Sequence, residues 1–239
     1  MTKHYLGVIP ARGGSKRIPG KNLVTLSGLP LIDYTLRAAR ASSQLSAFVV
    51  STDSPAIADH VIARGCSVPE LRPAEMAADR SPVVQALQHG LSTYERAGGA
   101  RVDAIVLLQP TSPLRRGEDI DRAIEVFERT GADTVTAVRP VQDHPYWSWR
   151  DGDAGAIVPF YSLGEMSLDR KDLPAAYVEN GAAYVMRRAL VDAGKIYGDR
   201  VAPYLMDEIG SIDVDTPLDL AWAEFVIQRG LDRRGGITR

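Results

Sequence analysis

Short runs rich in β-branched residues alternate with longer amphipathic stretches over the first 140 residues, and this alternation limits the possible folds severely. "YLGVIPA" at 5–11 reads as a buried strand. "PLIDYTLRAARASS" at 30–43 sets Leu31, Ile32, Tyr34, Leu36 and Ala39 near helical spacing. "AFVVSTD" at 47–53 is the next strand. "SPAIADHVIARG" at 54–65 is a helix opened by a serine cap and Pro55 and closed by a glycine. The grammar repeats in a helix after Ser81, a strand at 103–109, a helix at 116–131 and a strand at 133–140. "DAIVLLQ" is almost wholly apolar, as strands covered on both faces are. The pattern predicts an α/β chain, a three-layer αβα sandwich around a mostly parallel sheet.

The grammar changes between 141 and 176. "VQDHPYWSWRDGDAGAIVPFYSLGEMSLDRKDLPAA" holds aromatic residues and turn signals but no clean helix, and reads as an inserted β-rich lobe. Regular structure resumes with "ENGAAYVMRRALVDAG", a strand running into a helix. "VAPYLM" and "SIDVD" read as two short strands before a last helix. The main domain therefore comprises 1–140 and 177–239, with the lobe at 141–176.

In such a sheet, ligands bind beyond the carboxyl ends of the strands. Three polar loops reach that edge: "RGGSKRIPGKN", "STDS" and "QPTSPLR". The first holds Gly13, Gly14 and Gly20 and four cations, Arg12, Lys16, Arg17 and Lys21. Glycines let backbone N–H groups approach an anion, and the cations supply charge, a combination suited to a triphosphate. Five lysines occur in the chain and two of them are here. The net charge of −2 gives no global basic field for nucleic acid or anionic lipid, so the positive site is local. The spacing is not that of a P-loop: five residues separate Gly14 from Gly20, and Asn22 follows the lysine. The plain alternative is a solvated basic loop.

Asp213 and Asp215 stand at i and i+2. On a strand they would share a face and make a hard-oxygen site for Mg²⁺, which takes its other ligands from water and phosphate. The alternative is that one of them caps the helix starting near Pro217. The single cysteine, Cys66, excludes an internal disulfide and argues against a cysteine zinc site. No apolar run reaches the length of about 18 residues that a membrane helix needs, and no secretory pattern opens the chain, so a cytoplasmic protein is expected. The basic tail "RGLDRRGGITR" reads as a frayed end, not a nucleic-acid arm.

Taken in order, "IPARGGSKRIPGKN", "STDS", "LRPAEMA", "LLQPTSPLR", "NGAAYV" and "SIDVDTPLDL" resemble the motif series of the CMP-sialic acid synthetases, the acylneuraminate and nonulosonic acid cytidylyltransferases. The likeness spans about residues 5–225. It implies a nucleotide-diphosphosugar-transferase type of fold. It also implies a reaction in which a sugar-acid hydroxyl attacks the α-phosphorus of CTP and pyrophosphate leaves, and a homodimer in which the small lobe packs across the partner.

By the same resemblance, Arg12, Ser15 and Lys21 bind the triphosphate, with Lys21 at the α-phosphate. Asn22 and Arg72 read cytosine, Ser81 lies close to a third such position, and the backbone at Pro10 and Ala11 lies against the base. Asp213 and Asp215 hold Mg²⁺ or Mn²⁺. Gln109 faces the acceptor with Thr111 and Ser112 in the same loop, and Asn180 joins them. Arg12, Lys21, Asp213 and Asp215 form the catalytic set. No histidine is an obvious general base, although His144 lies in the lobe.

One departure from the family bears on the acceptor. Family members often carry an arginine just upstream of "NGA", where this chain has Val178 beside Glu179. Arg170 and Lys171 are then the candidates to meet an anionic acceptor, within the chain or across the dimer. A CTP-dependent transfer to a phosphonate or another small acid stays open on sequence grounds, as does a non-catalytic nucleotide-binding module. Two adjacent carboxylates speak for metal-assisted chemistry over the latter.

Overall fold

The computed structural model describes residues 3–78 and 80–232, so most of the basic tail lies outside the described residues. Strand β1 (Tyr5–Pro10) leads through a 3-10 turn at Lys21–Leu23 into a two-residue ribbon, β2 (Thr25–Leu26) with β3 (Leu29–Pro30), and then α1 (Leu31–Ala41). β4 (Ala47–Ser51), α2 (Pro55–Ile62), α3 (Val83–Arg96), β5 (Ala104–Leu107), α4 (Gly117–Thr130) and β6 (Thr134–Pro140) follow. The inserted region holds β7 (Trp149–Asp151), β8 (Ile157–Pro159) and α5 (Leu163–Met166). β9 (Tyr177–Arg187), α6 (Arg188–Asp192), β10 (Val201–Leu205) and α7 (Pro217–Gln228) complete the described chain.

Six strands form one sheet in the order β10-β6-β9-β5-β1-β4. β1 pairs parallel with β4 and β5, and β10 pairs parallel with β6. β9 alone runs antiparallel, between β5 and β6. The lobe explains this direction. The chain enters the lobe from the carboxyl end of β6 and re-enters the sheet from that same edge, so β9 must run back down.

Alternation along β1 divides the core. Tyr5 and Ile9 pack with Ile32 and Leu36 of α1, Ile57 of α2 and Ile124 of α4. Leu6 and Val8 face the other way, onto Leu87 and Leu91 of α3 and Val191 of α6. The sheet is therefore covered on both faces, as the predicted sandwich requires.

Two parts of the sequence reading change. "SIDVD" forms no strand; Val214 is buried in a third apolar cluster with Ile18 and Val226, and its N–H donates to the Thr111 carbonyl at 2.7 Å. No described strand pairs with this stretch, which is tied instead to the loop after β5. The lobe is also less regular than its β-rich pattern suggests. Among the described residues its ladder is the three-residue pairing of β7 with β8, and short helical turns fill the rest.

Candidate active site

The sheet reverses its order of growth at β1. The chain passes from β1 to β4 on one side, then returns to place β5 on the other, and such a switch point opens a crevice at the carboxyl ends. A cleft of about 570 Å³ lies there. The loop after β1 supplies one wall through Pro10, Arg12, Gly14, Ser15, Lys16, Arg17, Lys21 and Asn22. Gln109, Pro110 and Thr111, after β5, form the opposite wall, with Val83 at the start of α3 alongside. Asp213 and Asp215 close the cleft from the segment before α7.

The loop's course is fixed at its root. Ala11 N–H donates to Ser51 O at 2.9 Å, and Gly13 N–H donates to Asp53 Oδ1 at 2.9 Å. A Cβ on Gly13 would lie 2.9 Å from Ser54 Cβ, so the close approach demands glycine. Gly20 has φ +63°, the left-handed conformation that leads into the turn carrying Lys21. Asn22 is buried and its amide donates to Arg12 O at 2.9 Å. In this structure the Asn22 side chain thus braces the loop from within while the residue also lines the cleft.

The electrostatics divide the cleft. Lys21 Nζ lies 2.8 Å from Asp215 Oδ1 and donates to Val214 O at 3.1 Å. Arg17 approaches Asp215 from outside at 3.6 Å, a contribution that sequence reasoning counted only as charge in the loop. Asp213 is more enclosed. Its Oδ1 is buried without a hydrogen-bond partner, and burial pushes its carboxyl up from the usual range, with Asp215 adding to the rise. A desolvated carboxylate oxygen beside a second carboxylate calls for a cation. Neither aspartate caps α7: Thr216 Oγ1 accepts Asp219 N–H at 3.3 Å, and Asp219 Oδ2 accepts Thr216 N–H at 2.7 Å. No group of three or more His, Cys, Asp or Glu side chains able to hold a metal occurs among the described residues. Two carboxylates suit a Mg²⁺ that draws its other ligands from phosphate and water.

Arg72 is 5% exposed and does not line the cleft itself. Its Nη2 stands 3.9 Å from Asp53, and its Nε has no partner among the described residues. Burial lowers its pKa, which marks a cation short of compensation. Glu70, two residues before it, is bonded to Arg96 instead. Ser81 donates its hydroxyl to Glu75 O at 3.0 Å just before α3.

On the acceptor side, Gln109 and Thr111 reach the cleft, whereas Ser112 is fully buried and donates to Asn180 O at 3.2 Å. Asn180 is buried too. Its amide donates to Ser211 Oγ at 2.9 Å and its Oδ1 accepts Ala182 N–H at 3.0 Å, so the side chain is turned inward, away from the cleft. Arg170 and Lys171 lie in the lobe, where Arg170 stacks over Trp147 at 5.0 Å and Lys171 stands 3.9 Å from Asp169. One chain does not bring them to the cleft. His144 is buried with Nε2 at 3.0 Å from Pro174 O and Nδ1 accepting Tyr146 N–H, a structural placement that leaves neither nitrogen for base chemistry.

Sequence reasoning gave no role to Arg115, the last residue of "QPTSPLR". It is fully enclosed, donates to Gln109 O at 3.1 Å, Ala182 O at 2.7 Å and Thr35 Oγ1 at 2.6 Å, and burial lowers its pKa to about 10. It holds the wall that carries Gln109. The run around it, "QPTSPLRRGED", is polar and carries no sign that this arginine is enclosed.

A family model described as Cytidylyltransferase matches residues 6–148. The CMP-N,N'-diacetyllegionaminic acid synthase of Legionella pneumophila is 37% identical over 93% of this chain and 96% of its own length. The N-acylneuraminate cytidylyltransferase A of Danio rerio is 32% identical over 93% of this chain, which spans half the length of that protein. Among solved structures, CMP:2-keto-3-deoxy-manno-octonic acid synthetase complexed with CTP superposes with a TM-score of 0.70 at 18% identity, covering 95% of this chain and 100% of that one. That likeness is one of fold.

Proposed function

The chain belongs to the cytidylyltransferase family, and from that premise we propose that it transfers CMP from CTP to the anomeric hydroxyl of a sialic-acid-like nonulosonic acid, releasing pyrophosphate. The observation that carries this reading is the meeting of a cationic loop with a two-carboxylate segment, Lys21 against Asp215, at the sheet's switch point.

The acceptor oxygen forms a bond to the α-phosphorus, the bond from that phosphorus to the bridging oxygen breaks, and the hydroxyl proton is lost to solvent. Arg12, Ser15 and Lys16, with the Gly14 backbone, hold the phosphates, while Gly13, its N–H given to Asp53 Oδ1, sets the course of the loop. Lys21 sits where negative charge grows on the α-phosphate, a position at which one fixed donor contributes on the order of 10²–10³ in rate. The cytosine lies against Pro10 and Ala11, with Asn22, Arg72 and Ser81 on the base side. Asp213 and Asp215 hold a divalent cation, Mg²⁺ or Mn²⁺, which when bound neutralises phosphate charge and favours the attacking hydroxyl. The unpartnered Asp213 Oδ1 fits that assignment.

Gln109 and Thr111 face the sugar acid, with Ser112 and Asn180 shaping the wall behind them. The acid-sugar acceptor draws support from the relatives named for legionaminic and acylneuraminic acids. Arg170 and Lys171 meet its carboxylate from the lobe of a second copy in a homodimer. No described helix is long and apolar enough to cross a membrane, and Cys66 is buried and unpaired, as suits the reducing cytoplasm where we place the enzyme.

The test is pyrophosphate release with CTP and Mg²⁺ across N-acetylneuraminate, a diacetyllegionaminic acid, 3-deoxy-octulosonate and small phosphonates, run beside Lys21→Ala. Release with a nonulosonic acid, reduced about 10²–10³-fold in the variant, is the expected result. Release with a phosphonate alone overturns the acceptor assignment. Full turnover by Lys21→Ala overturns the role of Lys21.

A further inference from the structure

The "STDS" turn after β4 takes no part in the chemistry above, yet the two halves of the nucleotide site meet on it. One oxygen, Asp53 Oδ1, accepts Gly13 N–H at 2.9 Å and lies 3.9 Å from Arg72 Nη2. Gly13 belongs to the phosphate loop after β1, and Arg72 to the connection between α2 and α3. We propose that Asp53 is a positioning residue for nucleotide selection, whose single carboxylate oxygen sets the Gly13 amide and the Arg72 guanidinium at a fixed separation. The inference rests on the reading of Arg72 as a base-facing residue.

Three observations carry it. First, both clients are held hard against the turn. The missing Cβ of Gly13 would lie 2.9 Å from Ser54 Cβ, and Arg72 N–H donates to Thr52 O at 2.7 Å. Second, Asp53 is the carboxylate paired with Arg72 among the described residues, and the surroundings otherwise oppose that cation. Burial lowers its pKa most and Arg12 adds to the fall, while Asp53 acts against both. Third, the ion pair at 3.9 Å is beyond hydrogen-bond distance, and Arg72 Nε has no partner among the described residues. Asp53 therefore holds the guanidinium by charge and leaves that buried N–H uncommitted. The carboxylate's bond to Gly13 is a charge-assisted one and stronger than a neutral equivalent.

The experiment measures binding of CTP and of UTP by calorimetry, with Mg²⁺ and no acceptor, for the parent, Asp53→Asn, Arg72→Lys and the double variant. Asp53→Asn keeps the shape and an acceptor for Gly13 but removes the charge. It is expected to weaken CTP about tenfold and to narrow the CTP-over-UTP preference. In turnover assays KM for CTP is expected to rise more than kcat falls, because the reacting phosphorus keeps its contacts. The double variant is expected to keep as much of the CTP-over-UTP preference as Arg72→Lys by itself, although its overall affinity falls through the weakened bond to Gly13.

Should Arg72→Lys erode the preference while Asp53→Asn leaves it intact, Asp53 positions nothing. Additive losses of that preference in the double variant lead to the same conclusion. If Arg72→Lys leaves the preference unchanged, the base-facing reading of Arg72 fails first and the inference falls with it. Thermal midpoints are recorded for each protein, and Asp53→Ser, which keeps a short acceptor in the same space, repeats the test if Asp53→Asn does not fold.

Discussion

A half-buried carboxylate with one buried, unpartnered oxygen is costly to a protein that has no ligand bound, and Asp213 is such a group. Its carboxyl is pushed up chiefly by burial and further by Asp215, against a lowering hydrogen bond from Thr111. The folded chain thus holds this proton more tightly than the unfolded chain does. Stability contributed by Asp213 is therefore lost as pH rises from the ordinary aspartate value through the raised one. Asp213→Asn removes the charge and keeps the shape. In metal-free buffer at neutral pH the variant is expected to melt a few degrees above the parent, with the gap closing toward about pH 4 as the parent's carboxyl protonates. Its turnover is expected to fall by orders of magnitude. Scanning calorimetry across that range, paired with a pyrophosphate assay, checks both halves. Equal melting at every pH would mean that Asp213 is compensated in solution, and intact turnover would remove it from the metal site.

Among the elements, α4 joins packing to the site most directly, because its first residue ends the loop that carries Gln109. A Cβ on Gly117 would lie 2.6 Å from the Ala41 carbonyl carbon, at the last residue of α1. Backbone cannot swing aside as a side chain does, so Gly117→Ala must separate the two helix ends. A loss of about 1–3 kcal/mol is expected, lowering the melting midpoint by several degrees. KM for the acceptor is expected to rise while CTP binding, governed by the loop after β1, changes less; an unchanged midpoint would show that the ends are not so close. The elements of the first 140 residues were legible in sequence because period and caps agree there: Ser54 Oγ does accept Ile57 N–H at 3.4 Å, and Gly131 does close α4 at φ +61°. The failures have local causes. The β2–β3 ribbon turns on Ser27 and Gly28, both at positive φ, and spans too few residues to show alternation. "SIDVD" alternates like a strand, but alternation does not say whether a neighbour is there to pair. At the site, residues that bring charge to the cleft were readable from composition and spacing. Asp53 and Arg115 act through backbone groups far away in sequence, and only the fold brings those partners to them.

For the molecule as a whole, the lobe leaves a surface that a single chain does not cover. Phe160 is 59% exposed, Leu163 66%, and Ile157, Tyr161 and Trp149 are exposed beside them in sequence. Clustered apolar side chains of this size on a folded surface mark a contact with another surface. The acceptor half of the cleft is also short of positive charge within one chain. Its lining there is Val83, Gln109, Pro110 and Thr111, and Arg170 and Lys171 stand away in the lobe. The homodimer proposed above, each lobe reaching over the partner's cleft, would cover the apolar surface and bring cations to the acceptor carboxylate in one arrangement. Phe160→Asp with Leu163→Asp is expected to halve the solution mass from twice 25.9 kDa to that value, as read by light scattering. Both side chains are exposed, so the fold of each protomer is expected to persist. The monomer would then bind CTP as the parent does, since that wall is built from one chain, yet lose acceptor-dependent turnover. Arg170→Ala in the intact dimer is expected to raise KM for the acceptor and leave CTP binding alone. A monomeric variant with full turnover would show that each cleft is complete by itself, and the charge that meets the acceptor would then have to come from the loop after β1, where Arg17 already leans toward Asp215.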